Sequence, residues 1–190
     1  MSLWGNDTKP KNLTDAEKKE VFANKSGWVR EAGSVLSGNG NTGADPEVLV
    51  AISNLSANMG AANITEIEFV TTSFDKSDGG NIDVLVRFNE PVTVTGTPQV
   101  SITNGNQGSG TGRGPHLASY LSGSTTNELT FRFTLGAANA ATNENDVLVI
   151  GTNATALNSG TIKDTGEGTV ATITNTSAQG TAAGSITVAA

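Results

Sequence analysis

Residues 81 to 103 read NIDVLVRFNEPVTVTGTPQVSIT, an alternation of apolar and polar positions interrupted once by a proline. A period of two is that of a strand with one buried face. Ile82, Val84, Val86 and Phe88 are therefore expected on a core face, and Asp83, Leu85, Arg87 and Asn89 on the opposite one. Pro91 lacks the donor that a ladder needs and should end or bulge the strand. The alternation then resumes with Val100 and Ile102 inward. ELTFRFTL, residues 128 to 135, repeats the device with Leu129, Phe131, Phe133 and Leu135 inward and Glu128, Thr130, Arg132 and Thr134 outward. ITEIEFVTT, from Ile64, sets Ile67 and Phe69 against Glu66 and Glu68, while DVLVIG, TVATIT and SITVAA supply further short strands between Gly, Asn and Ser turns. About seven short strands, each with one buried face, describe an antiparallel β-sandwich of immunoglobulin-like type. In that fold the run at 81–103 is a central strand followed by a kink at which the chain changes sheets.

The pattern before Ile64 is different. LTDAEKKEVFAN, residues 13 to 24, reads as a short helix from Asp15 to Ala23, because Thr14 and Glu17 have the spacing of a capping box. It offers only Leu13, Ala16, Val21 and Phe22 for burial, too little to be stable alone, so it needs a surface to lie on. GWVREAG, residues 27 to 33, and EVLVAISNL, residues 47 to 55, are expected strands on either side of the glycine-rich turn SGNGNTGADP, with a helix capped at Asp45 as the alternative for the second. SANMGAAN, residues 56 to 63, divides the chain near Gly60 into a small α+β module, 1–60, and the β-sandwich, 61–190.

Composition sharpens this division. The first 60 residues hold 6 Lys and Arg against 7 Asp and Glu, net −1, and the remainder holds 5 against 11, net −6. Both tryptophans lie in the first part, and every phenylalanine except Phe22 lies in the second. Net acidity argues against nucleic acid or an anionic membrane as partner, since both reward clustered Lys and Arg. The absence of cysteine excludes a disulfide framework or a thiolate metal site. MSLWGNDTKPKNL lacks the apolar core of a secretory signal, and no apolar run reaches bilayer-spanning length.

The ingredients of catalysis are sparse. His116, in GRGPHLASY, is the one histidine; with no acid partner near it in sequence it reads as a bystander, and no nucleophile elbow or phosphate-binding loop accompanies it. The expectation is a protein that is not an enzyme. DKSDGGNID places Asp75, Asp78, Asn81 and Asp83 on one turn, oxygen ligands of the kind calcium takes, although Ser77 and Gly79 depart from the EF-hand order. Asp164 and Glu167 would join them if their loop lay at the same end of the sandwich. The alternative is that these acids solubilise a turn before a strand.

Two resemblances add to this reading. VLVRFNEPVTVTGTPQVSIT, ASYLSGSTTNELTFRFTL and ALNSGTIKDTGEGTVAT together resemble the bacterial Ig-like, cadherin-like repeat of large surface adhesins, over most of residues 64 to 173. That resemblance implies the sandwich fold, and its F-x-E-P and I-x-D motifs fall on Phe88 to Pro91 and Ile162 to Asp164. A calcium site is not carried over, because GAANAATNENDVLVIG stands where the family has a compact aspartate-rich turn. SLWG at residues 2 to 5, then KPKNLT, GW and EVLVAI, is similar to the N-terminal module of small virion structural proteins of marine tailed phages, of myovirus type, over about residues 2 to 55. It implies a virion location, after assembly in the host cytoplasm, with the major capsid protein or other virion proteins as partners and many copies or a homo-oligomer in the particle. The role implied is capsid decoration or cement, through an N-terminal anchor whose contact residues would be Leu3, Trp4, Leu13, Phe22 and Trp28. Alternatives are a tail, neck or fibre component, or an adhesin module reading a surface glycan, for which Tyr120 is the main aromatic available.

Overall fold

The computed structural model describes residues 13–24, 27–31, 47–51, 61–105 and 113–190. The fold is mainly β. Near the N-terminus, α1 is a single turn, Asp15–Lys18, opened by the expected capping box: the Glu17 amide donates to Thr14 Oγ1 at 3.3 Å and the Thr14 amide to Glu17 Oε2 at 2.8 Å. The helix does not continue to Ala23. Val21–Asn24 is strand β1, paired antiparallel with β2, Gly27–Arg30, which in turn pairs with β3, Glu47–Ala51. The β-branched and aromatic pair Val21 and Phe22 suits a strand, and Gly27 (φ +125°) turns the hairpin in a region that favours glycine. Glu47 opens a strand, as the first of the two readings has it.

The remaining strands form one curled half-barrel sheet, not two visibly separate ones. They are β4 (Ile64–Phe69), β5 (Phe74–Asp75), β6 (Gly80–Thr95), β7 (Gln99–Asn104), β8 (His116–Ser122), β9 (Thr126–Leu135), β10 (Val147–Ala156), β11 (Thr161–Asp164) and β12 (Ser185–Ala189). Hydrogen-bonded neighbours run β11-β6-β9-β8-β7-β10-β12-β5, and β4 also pairs with β6. The kink behaves as its proline demands. Val84 to Phe88 pair with β4, whereas Val92 to Thr95 pair with β11, and the register against β9 shifts between Arg87 and Val92. At the kink the Asn89 amide donates to the Asn63 carbonyl and the Asn63 amide to Asn89 Oδ1, satisfying groups that the ladder leaves.

Alternation is realised on the concave side. Ile82, Val84, Val86, Phe88, Val100, Ile102, Leu129 and Phe131 are fully buried together with Ile67, Leu148, Ile162 and Ile186. Residues 169–174 make only single bridges, Lys163 with Val170 and Asn63 with Thr172, in place of the expected strand. A second helix, α2 (Ser177–Ala182), follows them and lies against β10 so closely that a Cβ on Gly180 would come within 2.5 Å of the Ile150 carbonyl oxygen.

Candidate functional site

The convex face of β6 was expected to meet water, yet Leu85, Arg87 and Asn89 are all buried. Arg87 is covered by the N-terminal unit, whereas Asn89 is tied to Asn63 at the kink. In the β1–β2 register, Val21 lies opposite Arg30 and Ala23 opposite Trp28, so one face of the small sheet carries Val21, Ala23 and Trp28. These three form a second core with Leu13 and Leu49, and Trp28 is 5% exposed. Leu13, Val21, Trp28 and Lys18 border a cavity of about 20 Å³, room for one water, whose other wall is Thr65, Arg87, Phe88 and Asn127 of the large sheet.

Polar contacts fasten this seat. Asn127 Nδ2 donates to the Val21 carbonyl at 3.2 Å, and Lys18 Nζ reaches Glu66 Oε1 at 3.2 Å and Asp15 at 3.1 Å. Burial works against the Lys18 charge, but its bonds to Asp15 and Glu66 outweigh that and raise its pKa above the ordinary lysine value. Arg87, its side chain 4% exposed, is ringed by three carboxylates: Glu68 at 2.7 Å, Glu66 at 3.0 Å and Glu128 at 3.2 Å. Desolvation opposes its charge too, and Glu68, Glu128 and Glu66 overcome it. Within the unit, Arg30 pairs with Glu17. Of the residues expected at an interface, Trp28 thus faces the large sheet, Leu13 packs beside it, Phe22 is half-buried and pairs with Val29 on the other face of the small sheet, and Leu3 and Trp4 lie outside the described residues.

The acidic turn before β6 disperses its oxygens. Asp83 makes a two-pronged ion pair with Arg132 at 2.7 Å, and Asn81 Oδ1 accepts from Thr134. Asp75 Oδ1 accepts from the Ser77 amide and hydroxyl, which hold its pKa below the usual aspartate value. Asp78 is exposed. Asp164 and Glu167 sit beside the kink, at the far end of β6 from this turn; the ten positions between Gly80 and Glu90 span roughly 30 Å. Among the described residues no group of three or more His, Cys, Asp or Glu side chains gathers as a metal site requires.

His116 is buried on β8 and stacks on Phe133 with ring centroids 4.9 Å apart. Desolvation lowers its pKa, partly opposed by Asp146 and reinforced by Arg113. Asp146 itself is engaged by Arg113 at 3.0 Å, by Asn104 Nδ2 at 2.7 Å and by the Asn143 amide. Tyr120 is half-buried, packs edge-on against Phe131, and its hydroxyl accepts from the Ser124 amide at 2.9 Å.

The kink brings together a pair that the sequence motifs carry separately. Glu90, of the F-x-E-P run, lies two residues before Val92, the register partner of Asp164 of the I-x-D run, and burial together with the charges of Asp164 and Glu167 pushes its pKa up to about 7. Asp164 is 3% exposed; its Oδ1 accepts from the Gly166 and Glu167 amides at 2.7 and 2.8 Å, whereas its Oδ2 has no donor. No family model, curated protein or solved structure matches the chain.

Proposed function

We propose that this is a non-enzymatic structural protein of a tailed-phage virion, a capsid decoration protein whose N-terminal unit docks on the particle while an acidic Ig-like domain projects outward. The observation that carries the reading is the two-core construction. A small three-stranded sheet with its own aromatic core sits across one face of a larger sheet whose core is separate. Such a unit suits binding, because it presents a second face and further chain without dismantling the large core.

Since the Trp28 face is turned inward, the particle contact falls to the opposite face, where Phe22 lies, and to Leu3 and Trp4. Buried aromatics of this kind commonly dominate interfaces, each worth about 2 kcal/mol or more on truncation. The net charge of −6 on residues 61–190 would keep decorated particles apart. The test adds purified full-length protein, and its Trp4→Ala and Phe22→Ser variants, to particles lacking the protein and measures cosedimentation. Wild-type binding that both variants lose supports the reading. Binding unaffected by both changes removes the N-terminal unit as the anchor, and no binding by the wild type removes the virion role.

A further inference from the structure

We infer that Glu90 and Asp164 share a single proton and thereby form a latch, which fastens β11 and its turn to the kink of β6 when the proton is present and loosens them when it leaves. The geometry sets the requirement. Asp164 is anchored through Oδ1 by two backbone amides, which leaves Oδ2 buried without a donor. Glu90, half-buried at the kink, is the group beside it. The Asp164–Val92 register and the Thr165 amide on the Pro91 carbonyl set the Asp164 turn against the chain at Glu90; two neighbouring carboxylates cannot both be charged without repulsion, and a buried acceptor without a donor costs its desolvation. A protonated Glu90 answers both by donating to Asp164.

The charges reaching Glu90 from the packed elements are Asp164 and Glu167 of the β11 turn; on its own strand the neutral Asn89 amide donates to Oε1 at 3.3 Å. Burial first, then Asp164 and Glu167, push the Glu90 pKa up to about 7. The proton therefore leaves near neutrality. The core anchors β11 through buried Ile162 and four paired positions on β6, with hydroxyl pairs Thr93–Thr165 and Thr95–Thr161, so the latch acts on its far end, where the Thr165 amide meets the Pro91 carbonyl at 2.9 Å and the turn closes through the Asp164 amide on the Thr169 carbonyl. The neighbouring strand end at Asn63 and Thr172 abuts the same kink, so the latch sits where the large sheet meets the chain leading to the N-terminal unit.

The sign follows from linkage. A carboxyl whose folded pKa lies above its unfolded value binds more protons in the folded state, so stability falls as pH rises from about 4.5 to about 7 and then levels. His116, its pKa lowered by burial, contributes the opposite slope below its unfolded pKa; comparison with a variant at Glu90 cancels it. The experiment measures the melting temperature and the hydrogen-exchange protection of residues 161–170 in the full chain, from about pH 5.5 to about pH 8.5, corrected for intrinsic exchange. Relative to Glu90→Gln, whose amide is a permanent donor, the wild type should lose several degrees of melting temperature and the protection of β11 as pH rises through neutrality. Asp164→Asn, which keeps the Oδ1 acceptor and turns an amide toward Glu90, should flatten the profile in the same way and serves if the first variant misfolds. Wild-type and variant profiles that run parallel overturn the latch. So does recovery of wild-type protection at the alkaline end on adding calcium chloride, which would make the pair a cation site and not a proton site.

Discussion

Arg87→Met separates a solvated strand face from a covered one. The arginine stem is largely replaced in volume, so the change removes mainly the charge, leaving Glu66, Glu68 and Glu128 around an apolar side chain with Lys18 as the cation still bonded to Glu66. Breaking a buried ion pair from one side typically costs 3–5 kcal/mol, because the remaining charge is stranded. Here the stranded glutamates keep 23%, 27% and 12% of their side-chain exposure, so some water reaches them and the lower end, about 3 kcal/mol, is expected. Against a total stability of about 5–15 kcal/mol, and with a urea slope of about 1–3 kcal/mol per molar, the midpoint should fall by roughly 1–3 M. Arg132→Met is the control: its side chain is 37% exposed and pairs with Asp83 at the surface, and its midpoint should barely move. Adding Glu128→Gln to Arg87→Met should recover part of the loss. Equal midpoints for the two arginine variants would refute the claim that the N-terminal unit buries this face.

Phe88→Ala and Phe131→Ala each empty a fully buried site and should cost about 3–5 kcal/mol by chemical denaturation, whereas Val70→Ala, 53% exposed, should be neutral. Gly180→Ala puts a methyl within 2.5 Å of the Ile150 carbonyl, so α2 must move off β10; a loss of about 1–3 kcal/mol is expected, and unchanged stability would mean that the helix is not seated this closely. Asn127→Ala removes the donor to the Val21 carbonyl and should raise hydrogen exchange across residues 13–30 while leaving β7 and β10 protected. The fragment 61–190 retains every residue of the large core and should unfold cooperatively, but with the Arg87 cluster wetted its Arg87→Met penalty should drop to within about 1 kcal/mol.

The concave face was legible because its cause is local. A period of two at β6, β7 and β9 states which side chains share a side, and the core contains them. The start of α1 was legible for the same reason, since Thr14 and Glu17 cap each other across three residues. Its end was not, because Val21 and Phe22 fit a helical stripe and a strand equally well over so short a run, and pairing with Arg30 and Val29 decides between them. α2 carries the same signature in Thr176 and Gln179, which would have found it in a segment read as a turn between strands. Nothing local marks Arg87 as buried. Its cover arrives from residues some sixty positions earlier, and a polar residue on an alternating strand reads as solvated until its partner is known. The pairing of Glu90 with Asp164 is hidden for a like reason: it exists only because Pro91 hands β6 from β4 to β11.

These two hidden contacts change what the division near Gly60 means. The cores are separate, so each part can be described by its own apolar set, but the polar contacts between them are not surface decoration. Lys18, Asn127 and Glu66 join the parts directly, and the Arg87 side chain stays buried beneath the small sheet. A partner that pulled the N-terminal unit away would bring water to the Phe88 edge and the face of Trp28 while relieving the desolvation of Arg87 and the carboxylates around it. The two terms oppose each other, one apolar and one electrostatic, and they respond differently to salt: screening weakens the exposed ion pairs but hardly touches the apolar burial. Docking through the Phe22 side of the small sheet, where Val29 is already buried and Phe22 half-buried, would avoid this exchange, since it leaves the seat on β6 and β9 intact, and that is the physical reason the proposed particle contact is placed there and not at Trp28.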